Sequence, residues 1–296
     1  MATVDDGIKG ADTAREGFLA RYPTVLFFLL SFVFTWGYFW LVWAPLGLPP
    51  SLIALGGFGP SVAAFLVLAI SSGKPGVLRL LRSMVQWRAG VQWYLLILLG
   101  IPILNFLAFL VVPGTFADFV APSSRFVRVY LSEMVFSLTI GVAPLWEEVG
   151  WRGFALPGMQ RLHGPVVGTI ILGLLWGVWH LPFFFGPLAQ TGPDSTFIRA
   201  SIALVEFSIG LTGVSVVMTW VLNNCRGSTL LAILFHAAFD SSGLALMTLF
   251  PSTSPYYLPV HYQTLGIAIF FSIVALVLIL VTRGDLGYPR YKREMR

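Results

Sequence analysis

The sequence predicts an all-α, polytopic membrane protein, a bundle of about eight transmembrane helices around a central polar cavity. Three observations predict this class. Hydrophobic residues make up 57% of the chain and charged residues 10%, whereas ordinary soluble domains carry roughly a quarter charged. With 25 Phe and 10 Trp among 296 residues, the apolar surface exceeds what one soluble core can hide. Eight apolar runs reach the length of about 20 residues that a helix needs to cross a bilayer.

The elements follow in order. Residues 1–22 hold Asp5, Asp6, Lys9, Asp12, Arg15, Glu16 and Arg21. So many charges do not suit a cleaved signal peptide, and the stretch reads as a cytoplasmic polar tail before a retained span. The spans are 24–44, 51–71, 91–112, 129–156, 165–186, 200–222, 228–250 and 263–282. Gly56, Gly57, Gly59 and Pro60 in the second predict close helix contact and a bend. Between the second and third spans, "KPGVLRLLRSMVQWR" at 74–88 sets basic and apolar residues at helical spacing. It reads either as a helix lying along the inner interface or as a plain cytoplasmic loop. The fourth span is long and ends near Pro157-Gly158. Residues 284–296 form a basic cytoplasmic tail. No repeat or low-complexity linker divides 23–283, which reads as one unit. The single Cys225 excludes an intrachain disulfide framework.

Basic residues orient the bundle. With a cytoplasmic N-terminus, the inner segments hold Lys9, Arg15, Arg21, Lys74, Arg79, Arg82, Arg88, Arg152, Arg161, Arg226, Arg283, Arg290, Lys292, Arg293 and Arg296. The outer segments hold Arg125, Arg128 and Arg199, so the bias is fifteen against three. This positive-inside pattern puts both termini in the cytoplasm. It also accounts for the net charge of +5 without a nucleic-acid partner. Short loops fit a prokaryotic inner membrane.

An ionisable residue inside a span is costly and suggests function. The candidates are Glu133, Glu147, Glu148, Arg152, His180, Glu206, His236 and Asp240. Glu133 and Glu206 fall near outer helix ends and read as snorkelling or structurally paired. Asn105 reads as helix-to-helix glue. Glu147, Glu148, His180, His236 and Asp240 instead lie roughly 15–23 Å from the inner flanks of three separate helices, at 1.5 Å per residue. Glu148 and Arg152 are four residues apart and share a helical face, which predicts an ion pair. Glu147 is rotated by about 100° from Glu148 and is expected to stay available. His236 and Asp240, and Trp176 and His180, repeat the four-residue spacing. Pro182 loosens the backbone beside His180. Read one at a time, these residues could be a polar helix end, a hydrogen-bonded core histidine and a packing clasp. Their shared depth points to a site.

Three motifs carry a family resemblance. "EEVGWR" at 147–152, "WGVWH" at 176–180 and "HAAFD" at 236–240 resemble the EExxxR, aromatic-spacer-His and HxxxN/D motifs of the CAAX prenyl protease and bacteriocin-processing (CPBP, or Abi) family of intramembrane peptidases. The resemblance covers residues 130–250 in detail and the rest in topology. It implies an endopeptidase cutting a membrane-anchored peptide or protein, prenylated in the CAAX branch, near its C-terminus. By position, Glu147 would be the general base activating water, helped by His180. His236 and Asp240 would stabilise the oxyanion, and Arg152, with Glu148 and Trp176, would support the site. Two positions depart from the family's common pattern: Trp176 stands where Phe is usual, and Asp240 where the CAAX branch has Asn. An ionised carboxylate only accepts hydrogen bonds, so Asp240 is expected to orient His236 or to ligate a metal. Metal-free catalysis is the expectation. The metalloprotease alternative would hold Zn2+ or another divalent metal on His180, His236 and either Glu147 or Asp240. A proton-coupled transporter using the same acid and histidine cluster is the rival function, and a non-catalytic scaffold is a third.

Overall fold

The computed structural model describes residues 22–115, 119–121, 123–139, 143–186, 196–250 and 260–294. The predicted N-terminal tail, apart from Tyr22, therefore lies outside the described residues. Every regular element among the described residues is helical. Helix α1 is Pro23–Trp43, with Pro23 at its first position, where a missing N–H costs nothing. Its exposed face aligns Val25, Leu29 and Val33, 55%, 60% and 64% accessible, a stripe that only lipid or a partner covers favourably. Tight turns at Pro50–Phe58 pass into α2, Gly59–Ser71. Thr35 Oγ1 of α1 donates to the Gly56 carbonyl over 2.8 Å. A side chain at Gly59 would collide with Thr35 Oγ1 and sit 2.8 Å from the Ser31 carbonyl. The glycines in this stretch thus give the predicted close approach. Helix α3, Gly73–Met84, shows that the 74–88 segment is mainly helical.

The remaining elements are α4, Val91–Leu110; α5, Ser124–Thr139; α6, Ala143–His163; α7, Pro165–Trp179; α8, Phe197–Asn224; α9, Thr229–Met247; α10, Val260–Val281; and α11, Tyr288–Glu294. Among the described residues, seven helices are long and apolar enough to cross a membrane. This defines an all-α integral membrane protein. The predicted fourth span, 129–156, needs correction. Its residues divide between α5 and α6, which are bent by 58°. Pro144, the second residue of α6, has no N–H to donate to a ladder running on from α5 and suits the first turn of a new helix. The pair forms the eighth span only as a broken one.

One end of the bundle gathers the cationic segments. Ser83 of α3 shares a 2.7 Å hydrogen bond with Thr229 at the start of α9. Gln160 of α6 and Asn223 of α8 pair their amides reciprocally at 3.1 and 2.8 Å, and Asn223 also donates to the Leu286 carbonyl at 3.0 Å. Part of the predicted C-terminal tail is thus helix α11, held beneath α8. Tyr291 lies against Gly227, whose φ of 65° suits glycine. Burial pushes the Tyr291 phenol up to about 12. Asn105 glues α4 to α9 as predicted, donating to the Phe239 carbonyl at 2.9 Å and Ser242 Oγ at 2.7 Å.

Candidate active site

Helix α6 is built to sit deep. Gly150 lies against the backbone of Pro60, where an added Cβ would fall 2.6 Å from the Pro60 carbonyl atoms. Ser61 donates to the Trp146 carbonyl, and Trp146 stacks on Phe58 at 4.2 Å. These contacts place Glu147 and Glu148 in the interior, 6% and 0% accessible. A π turn follows at Trp151–Ala155. Such turns occur often at functional sites, and here it carries Arg152 into the core.

Arg152 counts among the inner-flank cations by sequence, but it is 2% accessible. Its Nη1 donates to Glu148 Oε1 at 3.0 Å, the predicted ion pair, and its Nη2 donates to Ser215 Oγ of α8 at 2.9 Å. The guanidinium carbon lies 4.0 Å from the Trp176 ring centre. Glu148 Oε1 also meets His236 Nδ1 at 2.8 Å. The other face of that imidazole points Nε2 at Asp240 Oδ2, 3.3 Å away. The side chain of Asp240 is 44% accessible, so the cluster opens on this side, and Asp240 is not the buried group the spacing suggested.

Glu147 also departs from expectation. The 3.6-residue turn points it away from Arg152, but it is not free: Trp176 Nε1 donates to its Oε2 at 2.8 Å. His180 follows the last residue of α7, where Pro182 interrupts the helix. Its Nδ1 lies 2.8 Å from the Trp176 carbonyl. A carbonyl can only accept, so Nδ1 carries the hydrogen and Nε2 of the neutral ring keeps its lone pair. Trp179, Phe183 and Phe207 surround this ring, with centroids at 4.8, 6.0 and 5.0 Å.

The three motif-bearing segments therefore meet. Glu147, Glu148, Arg152, Trp176, His180, His236 and Asp240 form one connected cluster. Glu206 is elsewhere, accepting from Thr264 at 3.2 Å, and Glu133 sits on α5, outside the cluster. Two contributors were missed, Ser215 and Gly150. For Ser215 a signal existed, because Ser215, Thr219 and Asn223 recur every four residues along an apolar helix and all three are buried. Among the described residues no three His, Cys, Asp or Glu side chains converge as a metal-binding set. His236 has both nitrogens directed at carboxylates, Nδ1 at Glu148 and Nε2 at Asp240.

The fold and this cluster define a polytopic membrane protein with a buried acid, histidine and arginine centre. Residues 130–242 match the sequence model of the family described as Type II CAAX prenyl endopeptidase Rce1-like. The chain is also similar to a protein named CAAX prenyl protease 2 from Methanococcus maripaludis, 28% identical over 95 residues. That match spans about a third of each protein, 32% of this chain and 34% of the relative. All three motifs lie inside the family match.

Proposed function

We propose that the chain is an intramembrane endopeptidase. Its substrate would be a membrane-associated protein or peptide cut near its C-terminus, with a prenylated CAAX-type end as the class suggested by the relative's name. One observation carries the reading: segments far apart in sequence deliver Glu147, His180 and His236 around the single indole of Trp176. The family match favours this reading over a transporter.

In the proposed reaction, a water held between Glu147 and the free Nε2 of His180 gives its proton to Glu147 as its oxygen attacks the scissile carbonyl. The negative charge developing on the carbonyl oxygen is met by the Nε2–H of His236, released from its long 3.3 Å contact with Asp240. Glu147 then passes the proton to the departing amine as the C–N bond breaks. Glu148 holds Nδ1 of His236 and is itself held by Arg152. No metal enters this scheme. Both termini facing the cytoplasm, in a prokaryotic inner membrane, belongs to the same reading and is supported by the distribution of basic residues.

The test uses purified, bilayer-reconstituted protein and a membrane-anchored prenylated peptide. Glu147→Gln should retain the wild-type unfolding temperature and lose cleavage, while wild-type activity survives a divalent-metal chelator. Cleavage by Glu147→Gln would remove the proposed base. Activity lost on chelation and restored by added Zn2+ would overturn the metal-free route.

A further inference from the structure

Trp176 touches four members of the cluster, each in a different way. Its ring face receives Arg152 at 4.0 Å. Its edge meets the His236 ring at 5.4 Å and 79°. Its backbone carbonyl accepts from His180 Nδ1 at 2.8 Å. Its Nε1–H donates to Glu147 Oε2 at 2.8 Å. The side chain is 2% accessible, so no water competes for that indole hydrogen. A phenyl ring at this position is smaller than the indole; it would still present a π face to Arg152, but it has no donor.

We propose that Trp176 is a positioning residue for the peptidase reaction, its indole N–H fixing one oxygen of Glu147 so that the other is turned toward the water. This rests on the endopeptidase reading above. A free carboxylate rotates between two equivalent orientations about its last torsion, and only some of them aim a lone pair at a given water. A charge-assisted hydrogen bond on Oε2 removes that freedom before substrate arrives. The same indole holds Arg152 and, through it, Glu148, so one side chain sets the relative orientation of the two adjacent glutamates.

The experiment separates the N–H from the ring, and the hydrogen bond from the activity. Trp176→Phe retains the ring face and deletes the donor. A hydrogen bond to a charged group contributes about 1.5–3 kcal/mol, so kcat should fall about ten- to a hundred-fold, with KM within about twofold. The indole N–H is observed directly in 15N-tryptophan-labelled protein. The Trp176 signal is assigned by its loss in Trp176→Phe or, if that variant does not fold, by elimination through Trp→Phe changes at the other nine tryptophans. In Glu147→Ala this signal should move and exchange faster with solvent, and in Glu133→Ala it should not. An indole signal unmoved by Glu147→Ala overturns the proposal, as does a Trp176→Phe enzyme with unchanged kcat. No cleavage by the wild-type protein would overturn the endopeptidase reading instead, and cleavage surviving Glu147→Gln would remove Glu147 as its base, whatever the indole signal does.

Discussion

Substituting Gly150 with alanine adds one methyl group at the tightest contact of the motif helix. The new Cβ would lie 2.5 Å from Pro60 Cβ and 2.6 Å from the Pro60 carbonyl carbon and oxygen. Nonbonded carbons settle at about 3.5–4.0 Å, so α2 and α6 must separate by about 1 Å. Two of the three obstructing atoms are backbone and cannot swing away as a side-chain tip would. Overpacking of this kind costs about 1–3 kcal/mol. The displacement also reaches Glu147 and Glu148 on the same helix, where about 1 Å of misplacement costs about a hundred-fold in rate. Gly150→Ala should therefore unfold at lower temperature and cleave far more slowly per folded molecule. Gly243→Ala in α9 is the control. A Cβ there meets nothing within 4 Å, so the change should stabilise by up to ~1 kcal/mol through helix propensity. Thermal unfolding in detergent and initial cleavage rates decide the matter. A Gly150→Ala protein matching wild type in both would show that α2 and α6 do not make this contact.

Two further outcomes follow from the polar face of α8. Ser215→Ala leaves an N–H of the buried Arg152 without its acceptor, a cost of about 1–3 kcal/mol; both unfolding temperature and cleavage rate should drop, and an unaffected rate would separate Ser215 from the site. Asn223→Ala, eight residues and about 12 Å along the same helix, strips partners from Gln160 and the Leu286 carbonyl. It should lower stability by a similar amount while leaving the cleavage rate of the folded fraction at the wild-type value, measured on the same reconstituted samples.

Much of the architecture is legible because a bilayer demands it. Long apolar helices are the only economical way to hide backbone polar groups in lipid, so runs such as 165–186 and 263–282 announce themselves. Position along each helix is legible for the same reason: rise per residue is fixed, and Glu148 and His236, from different helices, meet at 2.8 Å. The break between α5 and α6 escaped because hydropathy does not register a change of direction; the signal was Pro144, and apolar content obscured it. Asp240 looked buried because depth along a helix says nothing about which way the residue faces. Ser215 was passed over because it carries no charge, although its spacing with Thr219 and Asn223 marks a polar seam. The bond between Trp176 and Glu147 joins residues 29 apart, and no spacing rule within one helix reaches that far.

The adjacency of the two glutamates follows from the charges they must tolerate. Glu148 is wholly inaccessible, and its Oε1 faces both Arg152 Nη1 and His236 Nδ1. Breaking such a buried pair from one side costs about 3–5 kcal/mol, so Glu148 is tied to its place and unsuited to exchanging a proton in each turnover. Glu147, one residue away, faces a neutral donor rather than a cation and retains slight access at 6%. A group that must take up and return a proton needs a partner whose bond survives both states in usable form, and an indole N–H fits that need better than a guanidinium. The 100° step between neighbouring helical positions thus lets one short motif supply two carboxylates with opposite duties. The second anchors the histidine and arginine, and in the proposed reaction the first takes up the proton.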